Sequence, residues 1–132
     1  MATIKRFEDI IAWQKARILN NRVGEIIDKG QFKKNFRLIG QIEGSAGSIM
    51  DNIAEGFERS GNKEFIQFLY VAKGSCGELR SQLYRALDRR YINQQEFDEL
   101  YKMAVEIIVM IQKLIDYLEQ SELKGNKYKN RK

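Results

Sequence analysis

No proline occurs anywhere in the chain, whose 132 residues would carry about six or seven at average usage. Proline removes a backbone donor and clashes with the preceding turn, so nothing of that kind interrupts a long helix here. The apolar residues recur at helical spacing rather than alternating as in strands. The first stretch runs from about Phe7 to Asp28, carries Phe7, Ile10, Ile11, Ile18, Leu19, Val23, Ile26 and Ile27, and stops at Lys29-Gly30. The second runs from about Asn35, a fair N-cap, to Glu55. Its stripe is Ile39, Ile42, Ala46, Ile49, Met50 and Ile53, and Gly56 is expected just past its end. The third runs from near Asn62 to about Arg89 on Phe65, Leu69, Ala72, Cys76, Leu79, Leu83 and Ala86. The fourth starts after Asn93 on Phe97, Leu100, Ala104, Ile107, Ile111, Leu114 and Leu118, with Glu96, Asp98 and Glu99 suiting its dipole. Short connections make successive helices antiparallel. The expected fold is all-α, an up-down-up-down four-helix bundle over residues 1–123, with a polar basic tail at 124–132 expected to be mobile in isolation.

Composition excludes several chemistries. There is no histidine and one cysteine, Cys76. An intrachain disulfide and a Cys/His zinc site are therefore excluded, as is any histidine base. The expectation is a protein that is not an enzyme and holds no cofactor or metal. No run of about 18 uncharged apolar residues is present, and no signal peptide is visible, so a cytoplasmic protein with no membrane partner is expected. The net charge of +5 comes from the tail, where Lys124, Lys127, Lys129, Arg131 and Lys132 meet no acid. Residues 1–123 balance 18 bases against 18 acids.

Three surface features stand out. Gly40, Gly44 and Gly47 share one side of the second helix, and Gly74, Gly77 and Ser81 one side of the third. Close approach of the two backbones is the simpler account, and a ligand cleft the other. The fourth helix is apolar at eleven of fifteen positions from Ala104 to Leu118, more than one buried face needs. Its second stripe (Tyr101, Val105, Ile108 and Ile115) and the third helix's surplus of Ile66, Tyr70, Tyr84 and Tyr91 suggest a self-association surface. Tyr70, Tyr101, Val105, Ile108 and Ile115 are its candidate contacts, unless loops or the start of the first helix cover them. Finally, one pole gathers Lys29, Lys33, Lys34, Arg37, Arg85, Arg89 and Arg90, with Lys15, Arg22 and Lys29 in a line leading to it. These nine cations are the candidate nucleic-acid contacts. A solvated surface with charges matched to helix ends explains them equally well.

Residues Ser48 to Leu69 read SIMDNIAEGFERSGNKEFIQFL. With Phe7-Glu8-Asp9, Trp13-Gln14-Lys15-Ala16, Gln41-Ile42 and Ala72-Lys73-Gly74-Ser75, they closely resemble the bacterial four helix bundle family, also called ribosomal-RNA intervening-sequence proteins. The resemblance covers roughly residues 7–118. It implies bundles assembled into homo-oligomeric, pentameric rings. The family is similar to the accessory variability protein of diversity-generating retroelements, so RNA or DNA and a protein partner such as a polymerase are implied as partners. It supplies no catalytic residues. The chain departs from the family's pattern in lacking proline between Gly30 and Lys34 and at Met50, and in carrying Glu43-Gly44 where arginines are usual. Within the motif, Asn52, Glu55 and Arg59 form one polar line ending at Gly56, with Glu64 across the turn. The expectation is that Asn52 and Glu55 staple the hairpin by bonding the opening turn of the third helix. The expected function is a non-enzymatic oligomer that binds RNA or DNA backbone through the basic pole. The alternative is a protein scaffold with no direct nucleic-acid role.

Overall fold

Two glycines in left-handed or otherwise L-disfavoured conformations, Gly30 at φ +81° and Gly61 at φ +105°, break the chain's helical run at the first and second turns. The computed structural model describes residues 3–130, with side chains through Leu123. Helix α1 spans Ile11–Asp28, α2 Phe36–Glu58, α3 Asn62–Asp88 and α4 Gln94–Asn130. Each helix packs on its neighbours in order, and α1 closes the cycle against α4, giving the four-helix bundle. The backbone of α4 continues to Asn130, so residues 124–130 of the segment expected as a separate tail extend the helix; their side chains, and residues 131–132, lie outside the described residues.

The start of the expected first helix is instead a separate 3-10 turn at Phe7–Asp9. The Asp9 carboxylate accepts from the Lys5 and Arg6 backbone N–H groups at 3.1 and 3.3 Å. Gln14 donates to the Glu8 carbonyl at 2.8 Å, and Phe7 meets Trp13 edge-on at 5.1 Å. These bonds fold the N-terminal segment back over α1, and Ile10 enters the core between the two elements. At the other end of the α3–α4 turn, Asn93 and Glu96 cap each other's backbone N–H groups at 2.7 and 2.9 Å.

The core follows the stripes read from the sequence, with Leu19, Ile42, Ile49, Ile53, Leu69, Leu79, Ile107 and Ile111 at its centre. Ile11 and Ile18 of the first stripe are exposed, however, because the inward face of α1 is Ala12, Ala16, Leu19, Val23 and Ile26. Cys76 is fully buried in the core, and burial pushes its thiol up to about 12. Ile115 belongs here too, at 0% exposure. It was expected on an interface, but positions 111, 115 and 118 fall at i, i+4 and i+7 on one helical face.

The α2–α3 hairpin is held differently from the expectation. Helix α2 does not stop at Glu55 but runs to Glu58, so Gly56 lies inside it and is buried. A Cβ there would sit 2.6 Å from the Cβ of Phe68 and 3.0 Å from the Phe65 ring. Close backbone approach occurs at Gly56, and not at Gly40, Gly44, Gly74 or Gly77, around which a Cβ would meet nothing within 4 Å. Those glycines face outward or lie at a half-open surface, because the buried positions of α2 fall on the opposite side of the helix. The expected staple does not form either. Asn52 donates to the Ser48 carbonyl and hydroxyl of its own helix at 2.8 and 2.9 Å. Glu55 pairs with Arg59 at 3.0 Å, and Glu64 is exposed in the first turn of α3. A side chain four residues back is simply nearer than the next helix. The interhelical bonds are Ser75 to Ser48 at 2.9 Å, Ser45 to Glu78 at 2.9 Å and Arg85 to Gln41 at 2.8 Å.

Helix α1 is pinned to α4 by charge. Arg22 forks onto both carboxylate oxygens of Glu99 at 2.6 and 3.0 Å, and Lys29 reaches Glu96 at 3.0 Å. The Arg22 hydrogen bond holds the Glu99 carboxyl below its ordinary value. Burial works to raise Glu96, but the Asn93 N–H and the Lys29 ammonium outweigh it, and its carboxyl is lowered too.

Two outcomes follow for stability. Gly56→Ala should destabilise the bundle by about 1–3 kcal/mol through overpacking against Phe68. Gly44→Ala, at an exposed helical position, should stabilise it by about 0.5–1 kcal/mol. Urea unfolding of both variants checks the contrast. For the carboxylates, folded values below the unfolded ones mean the stabilisation is present above the ordinary Glu range and lost as pH falls through it. The melting temperature should drop on acidification below about pH 5. The drop should shrink in the Glu96→Gln, Glu99→Gln double variant.

Candidate nucleic-acid interface

At one end of the bundle α1 stops, α2 starts, α3 stops and α4 starts. Phe32 and Tyr91, from the two connections at this end, stack with ring centres 5.1 Å apart. Asn35 ties them to α2: its carbonyl oxygen accepts from the Leu38 N–H at 3.1 Å, and its amide donates to the Tyr91 hydroxyl at 3.2 Å. A cleft opens beside this knot, lined by Asn35, Arg37, Leu38, Arg85, Asp88 and Arg89. The Arg89 guanidinium lies 6.0 Å from the Tyr91 ring centre, within cation–π reach. The sequence-derived pole is therefore one surface.

The nine expected cations do not act as one group. Arg22 and Lys29 are spent on Glu99 and Glu96. The line from Lys15 through Arg22 to Lys29 is thus no basic track, because α4 supplies acids at two of its three positions. Lys15 is exposed, about 20 Å along α1 from Lys29 at 1.5 Å per residue. The remaining six, Lys33, Lys34, Arg37, Arg85, Arg89 and Arg90, are exposed. Among the described residues none of the six has a carboxylate oxygen within 4.0 Å. The pole is divided: where α1 meets α4, Glu25, Glu96 and Glu99 hold Arg22 and Lys29, and where α2 meets α3, Arg37, Arg85 and Arg89 share a cleft with Asp88.

Two of these cations occupy left-handed backbone, Lys33 at φ 55° and Arg90 at φ 63°. Arg90 follows the C-cap of α3, where its N–H bonds Leu87 O at 2.9 Å and the Tyr91 N–H bonds Ala86 O at 2.9 Å. This is the helix-ending arrangement that glycine usually completes. An L-residue there costs about 1–2 kcal/mol. The chain accepts that strain at both positions and carries a positive side chain at each.

One exposed aromatic residue adjoins this cleft in the chain without belonging to any sequence stripe. Phe36, the first residue of α2, is 71% exposed between Asn35 and Arg37. It is out of phase with Leu38 and Ile42, which face the core. That phase mismatch was the available signal.

The candidate self-association surface is smaller than its sequence suggested. Tyr70 and Val105 are exposed, Tyr101 and Ile108 are half-buried, and Ile115 is in the core. Tyr91 is buried as well. Long polar side chains seal the α3–α4 seam: Tyr70 donates to Glu119 at 3.3 Å, Lys73 to Gln112 at 2.7 Å and Arg80 to the Tyr101 hydroxyl at 3.0 Å. Val71, Tyr84 and Val109 add exposed apolar surface beside them.

Among the described residues no helix is long and apolar enough to cross a membrane. No curated protein sequence matches the chain. A solved structure from Bacteroides thetaiotaomicron, a protein of unknown function from the S23 ribosomal protein family, superposes with a TM-score of 0.74 at 22% identity. The match covers 80% of this chain and 98% of that one, and shows the shared fold. The family model for the 23S rRNA-intervening sequence protein matches residues 8–113. With most of its length matched and the bundle in place, the chain belongs to the 23S rRNA-intervening sequence protein family.

Proposed function

We propose that this protein is a non-enzymatic helical-bundle protein that binds the backbone of RNA or DNA through the corner where α2 starts and α3 ends. The observation that carries this reading is the gathering at this pole of six exposed cations, none of which has a carboxylate oxygen within 4.0 Å among the described residues. Residues 1–123 are neutral only with these six cations counted, so their gathering at one pole, with Asp88 among them, leaves a local excess of positive charge. The strained Lys33 and Arg90 favour the same reading, since glycine would serve the turns better. With no histidine and a lone thiol that is buried, the chain offers little for nucleophilic or acid–base chemistry. The exposed Tyr70, Tyr84, Val105 and Val109 favour assembly into a homo-oligomer, and in a pentameric ring the positive corner would recur five times around a rim.

Binding to an RNA hairpin should weaken steeply with salt, with a log–log slope of roughly −5 if each of the six cations meets a phosphate. Fluorescence anisotropy across a salt series measures it. The Arg85→Glu, Arg89→Glu double variant should lose binding, whereas Arg22→Gln should keep the slope. Salt-independent binding, or none, removes the reading and leaves a scaffold for a protein partner such as a polymerase. Arg90→Gly should raise stability by about 1 kcal/mol while weakening binding, a split that thermal unfolding and anisotropy read together.

A further inference from the structure

We infer that this corner takes unpaired nucleotides, with a base stacked on Phe36 and the flanking phosphates on Arg37, Arg85 and Arg89. The inference rests on the backbone-binding reading and narrows its ligand. Cations alone do not distinguish a duplex from a single strand, because both present phosphates. An exposed aromatic ring among them does. Bases within a duplex are stacked on one another, and only unpaired ones have a free face for a side chain.

Phe36 has the exposure such a platform needs. Its 71% is the largest value for any bulky apolar side chain among the described residues. The ring contributes nothing visible to the fold, since the core positions of this turn are Leu38 and Ile42. Its surroundings specify the occupant. Its chain neighbours Asn35 and Arg37 line the cleft together with Arg85, Arg89 and the acidic Asp88, and Phe36 stands outside that lining, at its edge in the chain. Lys33 and Lys34 precede it in the connection. An apolar protein partner, or the same patch of a second copy, would meet this ring flanked in the chain by Lys33, Lys34 and Arg37. A polyanion with flat apolar faces suits both components.

The backbone beneath the ring is held in place. The Phe36 N–H bonds the Lys34 carbonyl at 2.8 Å. The preceding Asn35 caps Leu38 and holds Tyr91, which is stacked on Phe32. The backbone that presents the ring is therefore anchored to both connections at this end, so little order has to be gained on binding.

Three labelled 20-nucleotide probes test the inference by anisotropy: a single strand, its duplex, and an abasic strand of equal phosphate count. The single strand should bind about five- to 150-fold more tightly than the abasic one, the range for one stacked base. Phe36→Ala should abolish that preference without changing the salt slope, and Phe36→Tyr should retain it. Circular dichroism confirms that each variant is folded. Equal binding of the single and abasic strands, or a preference that survives Phe36→Ala, overturns the stacking inference and leaves backbone binding standing. If no probe binds at low salt, or if the Arg85→Glu, Arg89→Glu variant binds all of them as wild type does, the backbone reading itself is overturned and this inference with it.

Discussion

The register between α2 and α3 governs what the rest of the molecule can present. It is set at one end by Gly56, which lets the backbone of α2 come against Phe65 and Phe68. Further along, Ser48 meets Ser75, Ser45 meets Glu78 and Gln41 meets Arg85. These four levels fix the sliding position of one helix against the other. A slip of one helical turn, about 5.4 Å, would carry Arg85 and Arg89 away from Arg37 and dissolve the cleft between them. The packing residue and the candidate site lie at opposite ends of the hairpin, yet one determines the geometry of the other.

Closure of α1 against α4 has an electrostatic effect as well as a mechanical one. The same carboxylates that pin Arg22 and Lys29 remove those two charges from the surface field. These pairs are partly buried, so they both hold α1 to α4 and decide where charge is left over. What remains includes Arg37, Arg85 and Arg89 around one cleft with Asp88, next in the chain to Phe36. A diffuse basic end, as an unfolded inventory of the residues suggests, is replaced by a bounded patch with a cleft through it.

The bundle itself is legible in the sequence because burial repeats with the helical period, and core residues such as Ile42, Ile49, Leu79 and Ile107 announce themselves locally. The sharing of one pole by Lys33, Arg37, Arg85 and Arg89 is legible too, since antiparallel order follows from short turns. The pairing of Arg22 with Glu99 is not, because the partners are 77 residues apart and their meeting depends on how α1 rotates against α4. Gly56 reads as a helix stop until the turn is seen to lie at Gly61. Asn52 has two competing uses, and the nearer acceptor on Ser48 wins without leaving a trace in the pattern. Ile115 is ambiguous because a strongly apolar helix offers more than one plausible inward face.

The seclusion of Cys76 gives the molecule a built-in reporter. With the thiol sealed among α3's core neighbours, a modifying reagent reaches it only when the helices part. The rate of trapping then counts openings that part α3 from its neighbours rather than ripples of the surface. Because the native thiol stays silent in the closed form, a cysteine introduced near Phe36 would carry a dye alone, and the same protein sample would serve both as a clock for opening and as a lamp at the charged corner.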